Sequence, residues 1–143
     1  MSIIYRALNA QREIKAASDI EQECLSTAWS ESQIANLPEY AAYIGGFCEE
    51  TLCGIASMYI IAGEGQIMNV AVSHKYRRRG IANGLMNQLI LLAESKNCEI
   101  LTLEVAEDNK SAIALYEKCG FTAVGRRNGF YNGKDALIME KKL

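Results

Sequence analysis

A chain of 143 residues, 50% hydrophobic and 22% charged, has the length and balance of one ordinary globular domain, expected to span 1–143. Eleven Gly, a single Pro and apolar residues spread along the whole length exclude collagen-like, low-complexity and disordered classes, and without an apolar run near the roughly 18 residues of a membrane span or a secretory leader the chain reads as cytoplasmic, with no membrane partner. A net charge of −2 argues against a general nucleic-acid binder, yet residues 11–50 carry eight acids against two bases and residues 51–143 nine against twelve, so a cationic and an anionic partner can meet different parts of the chain.

Ile3 to Leu8 reads as a first strand, followed by a helix through Ile14, Ala17 and Ile20 whose other face carries Glu13, Asp19, Glu21 and Glu23. Ser30-x-x-Gln33 has the form of a capping box and opens a short helix through Ile34 and Leu37, which Pro38 ends. Tyr40 to Cys48 and Leu52 to Ala62 predict a β-hairpin, and Gln66 to Ser73 a further strand. From Gly80 the period changes: Ile81, Leu85, Leu89 and Leu92 mark a helix of about four turns that ends near Asn97. Ile100 to Val105 returns to strand, Asn109 caps a helix through Ile113 and Tyr116 that Gly120 closes, and Phe121 to Val124 with Ala136 to Met139 complete the sheet. A hairpin run followed by strands alternating with helices indicates a mixed α/β sheet. The five cysteines are odd in number and show no Cys-x-x-Cys spacing, with His74 the sole histidine, so neither a metal site nor a disulfide framework is expected.

The sharpest feature is a strand, Val70-Ala71-Val72, leading through a basic turn, Arg77-Arg78-Arg79-Gly80, into the helix that begins Ile81-Ala82-Asn83. Such a turn binds anions: the first helical N–H groups lack intrahelical partners, glycine lets a phosphate approach the main chain, and arginines add charge-assisted hydrogen bonds. A solvated basic loop touching RNA is the competing reading of the arginines alone, and it predicts salt-dependent binding that an anionic coenzyme does not compete away.

Arg77-x-x-Gly80-x-Ala82 resembles the pyrophosphate loop of the Gcn5-related N-acetyltransferase (GNAT) superfamily. The resemblance extends to Asn69 through Val72, Leu103-Glu104-Val105, Asn109, Ala114-Leu115-Tyr116, Gly120-Phe121, Arg126-Arg127-Asn128 and Asp135 through Met139, and within the superfamily it is similar to the bacterial ribosomal-protein-alanine N-acetyltransferases. It implies a mostly antiparallel sheet of six to seven strands with helices on both faces, and acetyl-CoA as cosubstrate without a metal. It further implies that backbone groups of Val70, Ala71 and Val72 align the pantetheine, that Arg77, Arg78, Arg79, Gly80, Ile81, Ala82 and Asn83 hold the pyrophosphate, and that Asn109 contacts the coenzyme, a role compatible with plain helix capping.

Acetyl transfer to an amine needs an acceptor for the amine's proton and a donor for the departing thiolate. Strand alternation sets Thr102 and Glu104 opposite Leu101, Leu103 and Val105, and a carboxylate in a central strand, if buried and unpaired, holds its proton near neutral pH. The alternative is an exposed Glu104 paired with a Lys or Arg. Tyr116 lies one turn beyond Ile113; by spacing alone it is a core aromatic, and the resemblance makes it the general acid. An acyl-cysteine route through Cys98 or Cys119 lacks a partner base, so direct transfer in a ternary complex is expected.

Trp29-Ser30 and Phe130-Tyr131 resemble the family's substrate-groove segments, which makes Trp29 and Tyr131 the expected acceptor-binding residues, although Ala28 replaces the usual proline and Gly129 is additional. The expected acceptor is the basic, alanine-first N-terminus of a small-subunit ribosomal protein, drawn by the acidic segment 11–50. Acetylation of a small-molecule amine or a lysine, and a coenzyme-binding module without turnover, are the alternatives, and they diverge on whether Glu104→Gln and Tyr116→Phe abolish transfer.

Overall fold

Hydrophobic alternation and helical stripes sort the chain into seven strands and four helices, and the computed structural model describes residues 2–9, 11–131 and 133–143 of it, with only the backbone at Tyr131. In chain order these are β1 (Ile3–Ala7), α1 (Ile14–Cys24), α2 (Glu31–Ala35), β2 (Ala41–Cys48), β3 (Thr51–Ile61), β4 (Glu64–Val72), α3 (Ile81–Ser95), β5 (Ile100–Ala106), α4 (Lys110–Lys118), β6 (Thr122–Tyr131) and β7 (Lys134–Lys142), with a single 3₁₀ turn at His74–Tyr76. One sheet of order β1-β2-β3-β4-β5-β7-β6 carries them all, and every neighbouring pair is antiparallel except β4 with β5.

Local chemistry sets the ends of these elements. The Ser30 hydroxyl accepts from Gln33 N at 3.1 Å while the Gln33 side chain accepts from Ser30 N at 2.8 Å, the reciprocal capping box that starts α2. Ala62 and Gly63, at φ +51° and +80°, form the two-residue turn between β3 and β4, in the left-handed conformation that matches strand twist. The stripe Ile81, Leu85, Met86, Leu89 and Ala93 buries α3 against one face of the sheet, over Ala56, Met58 and Val72. On the opposite face Ala17 and Ile20 of α1 and Ile34 of α2 close over Ile55 and Ala71. Each buried Ile, Leu, Val or Met among them stabilises the fold by roughly 1.5–3 kcal/mol, and each Ala by less.

Three sequence expectations are corrected. The last hairpin is much longer than Phe121 to Val124 and Ala136 to Met139, with β6 running ten residues and β7 nine. As the outermost strand β6 needs no apolar alternation, and its Gly and Arg residues read as a turn while pairing as a strand. Glu21, expected on the solvent face of α1, is fully buried. The surplus of acids in residues 11–50 is not one open surface: Glu13 pairs with Arg6, Asp19 with Lys15 and Glu23 with His74.

Candidate active site

Among the described residues β4 and β5 are the only parallel neighbours, and they pair just at Glu64–Ile100, Gly65–Leu101 and Gln66–Thr102 before parting. On its other side β4 bulges, because Ala56 faces Val70 and Met58 already faces Ile67, and Asn69 N donates to the Ser57 hydroxyl at 3.2 Å instead of a carbonyl. Beyond the bulge, Val70, Ala71 and Val72 keep their ladder to β3 and turn their other backbone edge toward the gap. Ala71 and Val72 are buried and Val70 half-buried, so it is the main chain that these residues can offer an extended ligand.

At the far end of the gap the 3₁₀ turn passes into the basic loop. Arg78 and Gly80 lie at φ +64° and +76°, and Gly80 caps α3 with nothing within 4 Å of where a Cβ would stand. That leaves an open, side-chain-free cradle in front of the first N–H groups of the 15-residue α3, flanked by exposed arginines. Arg77 Nε donates to Val72 O at 3.2 Å, and Arg79 lies 5.4 Å over the Tyr76 ring. The Ile81 side chain is buried in the core, so only its amide can serve a ligand, while the Asn83 amide oxygen faces Cys119 Sγ at 3.7 Å and ties α3 to α4. Ala82 is half-buried on the same first turn. A pyrophosphate-bearing coenzyme fits this donor set, since its negative charge meets free amides, a helix N-terminus and guanidinium groups together.

Asn109 caps α4 by accepting from Ala112 N at 3.2 Å. Tyr116, half-buried on α4, packs its ring edge-on at 6.2 Å from Phe121.

Where the two strands part lies a cleft of about 540 Å³ lined by their residues, including Asn69 and Glu104, together with Trp29, Arg127 and Phe130. Alternation along β5 buries Leu101, Leu103 and Val105 and leaves Glu104 facing this cleft. Its side chain is 25% exposed and accepts from Arg127 Nε at 3.0 Å and Nη2 at 2.6 Å. The buried, unpaired acid is thus replaced by the ion-paired alternative, because the long β6 brings Arg127 alongside. Arg127 in turn sits 5.1 Å over the Phe130 ring. Trp29 stacks on Tyr59 at 6.2 Å and tilts against Tyr43 at 6.2 Å, so it packs and lines the cleft at once. Tyr131 ends β6 opposite Lys134, and its side chain lies outside the described residues. A larger groove, about 750 Å³, follows the β2 edge between α2 and α3 and contains neither Glu104 nor the arginines.

Sequence reasoning missed the group beneath this cleft. The Glu21 carboxylate accepts from Trp29 N at 2.8 Å, from Asn69 Nδ2 at 2.7 Å and from the Tyr43 hydroxyl. Burial pushes its carboxyl above the ordinary range, against the three donors, and burial together with the Glu21 carboxylate raises the Tyr43 phenol. The signal was available: Ala17, Ile20, Glu21 and Cys24 share the i, i+3, i+4, i+7 stripe of α1, which is the core-facing one. Glu64, whose carboxylate accepts from the Thr102 hydroxyl at 3.1 Å, is a second cleft acid unforeseen from sequence.

A sequence model of the acetyltransferase (GNAT) family matches residues 8–121. The chain is 31% identical over 132 residues to the [ribosomal protein bS18]-alanine N-acetyltransferase of Salmonella typhimurium, covering 89% of each chain. Its fold superimposes on the crystal structure of the ribosomal-protein-S18-alanine N-acetyltransferase from Escherichia coli with a TM-score of 0.90 at 30% identity, over 99% of this chain and 94% of that one. It also matches Arabidopsis thaliana NAA60 in complex with acetyl-CoA with a TM-score of 0.91, over 99% of each chain, a likeness of fold at 20% identity.

Proposed function

This chain belongs to the acetyltransferase (GNAT) family, and we propose that its acceptor is the N-terminal α-amine, alanine first, of a small-subunit ribosomal protein. The observation that carries this reading is Glu104, a carboxylate held in a cleft of peptide-accepting size where β4 and β5 part, which Trp29 and Asn69 also line. Acetyl-CoA supplies the acetyl group as an activated thioester. The chain's own residues bind, orient and move protons around it. The Val70–Val72 edge receives the pantetheine as an added strand, and the amides and arginines of Arg77 to Asn83 neutralise the pyrophosphate, with Asn109 at the neighbouring helix start. Glu104 takes the proton of the incoming ammonium, directly or through one water, so that the neutral amine attacks without a covalent enzyme intermediate. Tyr116 returns a proton to the departing sulfur.

Basicity favours a chain terminus. An α-amine of pKa near 8 is about 10% neutral at pH 7, whereas a lysine amine near 10.4 is far below about 1%, a handicap of about 3 kcal/mol that a lysine-directed site must overcome. With Glu104 already paired to Arg127, Glu64 is the cleft carboxylate that supplies the attraction for a basic terminus.

Mixed with acetyl-CoA, an Ala-Arg-Tyr peptide should release free thiol, and the same peptide with a blocked N-terminus should not. Thiol release with polyamines or lysine peptides alone would move the acceptor to another amine, and none with any acceptor would leave a coenzyme-binding module. The donor side has its own test. Gly80→Val places a branched side chain in the cradle at a φ that costs it about 1–2 kcal/mol, and is expected to weaken coenzyme binding about tenfold or more by calorimetry while the peptide's KM stays unchanged.

A further inference from the structure

We propose that Glu23, Cys24 and His74 form a binding site for a divalent transition ion of the zinc class, separate from the transfer chemistry. Glu23 and Cys24 end α1 and His74 begins the turn after β4, and the fold draws one potential ligand atom from each to within 4.8 Å of the others. None of the three lines the acceptor cleft. The carboxylate is already oriented, since Glu23 Oε2 accepts from His74 N at 2.7 Å and meets His74 Nδ1, while Oε1 receives the Ser73 hydroxyl at 3.4 Å. Cys24 Sγ lies 4.0 Å from Glu23 Oε2, and its thiol points to Val72 O at 3.4 Å.

Tetrahedral coordination at the usual bond lengths separates sulfur from nitrogen by about 3.6 Å and nitrogen from oxygen by about 3.4 Å. Reaching that geometry requires the Glu23–His74 contact to open and the sulfur, now 4.0 Å from Glu23 Oε2, to close in. Thiolate plus imidazole selects zinc, cobalt or nickel over magnesium or calcium. On binding, the thiol proton leaves to solvent, the imidazole binds as its neutral form, and three protein ligands leave the fourth position to water at this exposed site. Burial holds the Cys24 thiol above its ordinary range, and Arg77 Nη2, 3.6 Å from Sγ, offsets this only in part and opposes a cation, so the ion itself has to displace the thiol proton and Arg77 has to retreat toward its other partner, Val72 O. An ion here fastens the end of α1 to the turn that carries the coenzyme arginines.

Cobalt(II) titration of the reduced full-length protein tests the site. The expected result is a thiolate-to-cobalt charge-transfer band with four-coordinate visible bands, saturating at one equivalent and bleached by zinc. Cys24→Ser should abolish the charge-transfer band. His74→Gln should weaken binding about tenfold or more, since even outer-shell changes at metal sites cost about 10–100-fold. Coenzyme binding reports that each variant has folded. A missing band, a band that survives Cys24→Ser, or equal affinity in His74→Gln and the parent overturns the site.

Discussion

Glu104→Gln is expected to lower kcat by about 10²–10⁴-fold, the range a positioned general base contributes, with the coenzyme bound as tightly as before. The substitution preserves shape, and its amide oxygen can still accept from Arg127 Nη2, now 2.6 Å from Glu104 Oε1, so the cleft keeps its form. What it loses is a site for the proton. Stopped-flow measurement of thiol release beside calorimetry with coenzyme A separates the two steps. If only the acceptor KM rises and kcat is kept, Glu104 binds the terminus and another group takes the proton. Tyr116→Phe is the companion experiment: the ring keeps its edge-on packing against Phe121, so a fall in kcat belongs to the hydroxyl.

The second large effect concerns stability. Glu21→Ala removes one carboxylate and strands three donors, Trp29 N, Asn69 Nδ2 and the Tyr43 hydroxyl, in the interior below the cleft. At about 1–3 kcal/mol for an unsatisfied buried group, with Asn69 buried but Trp29 and Tyr43 only half-buried, a loss of about 3–5 kcal/mol is expected in chemical denaturation. Glu21→Gln keeps an acceptor and is much milder, and it isolates the proton. Because the folded pKa of Glu21 is raised by burial, the folded protein holds that proton more tightly than the unfolded chain. The corresponding stability is full below the ordinary glutamate range and is lost as pH rises from there through the raised value. Glu21→Gln has no such proton to lose, so its stability relative to the parent should improve steadily as pH climbs across that window. A difference that does not vary with pH would mean that Glu21 titrates alike folded and unfolded.

Much of this architecture was readable from periodicity and caps. The α3 stripe, the Ser30–Gln33 box, the Asn109 cap and the alternation that turns Glu104 away from Leu103 and Val105 are all local signals, and local signals survive in a linear sequence. Contacts between distant segments do not survive there. Arg127 meets Glu104 only because β7 lies between β5 and β6 in the sheet, an order no spacing announces. The polar run at Gly125 to Gly129 disguised an edge strand as a turn, which hid both the length of the hairpin and the pairing partner. Glu21 differs for another reason: its charge points to the solvent face while its position lies in the apolar stripe, and donors brought from distant segments make that buried position hospitable to a carboxylate. Likewise Glu23, Cys24 and His74 converge across some fifty positions of chain, beyond the reach of any motif.

The parting of β4 from β5 separates two jobs along the polypeptide. Everything proposed to grip the donor comes from one uninterrupted middle stretch, Val70 to Tyr116, whereas the walls that meet the recipient include Trp29 near one terminus and Arg127 and Phe130 near the other. Residues 127 and 130 also lie past the segment, 8–121, over which the family model matches this chain. Changes at Trp29, Arg127 or Phe130 therefore reshape the recipient's walls without touching the segment Val70 to Asn83 proposed to hold the coenzyme, whereas Glu104 belongs to both halves of the reaction.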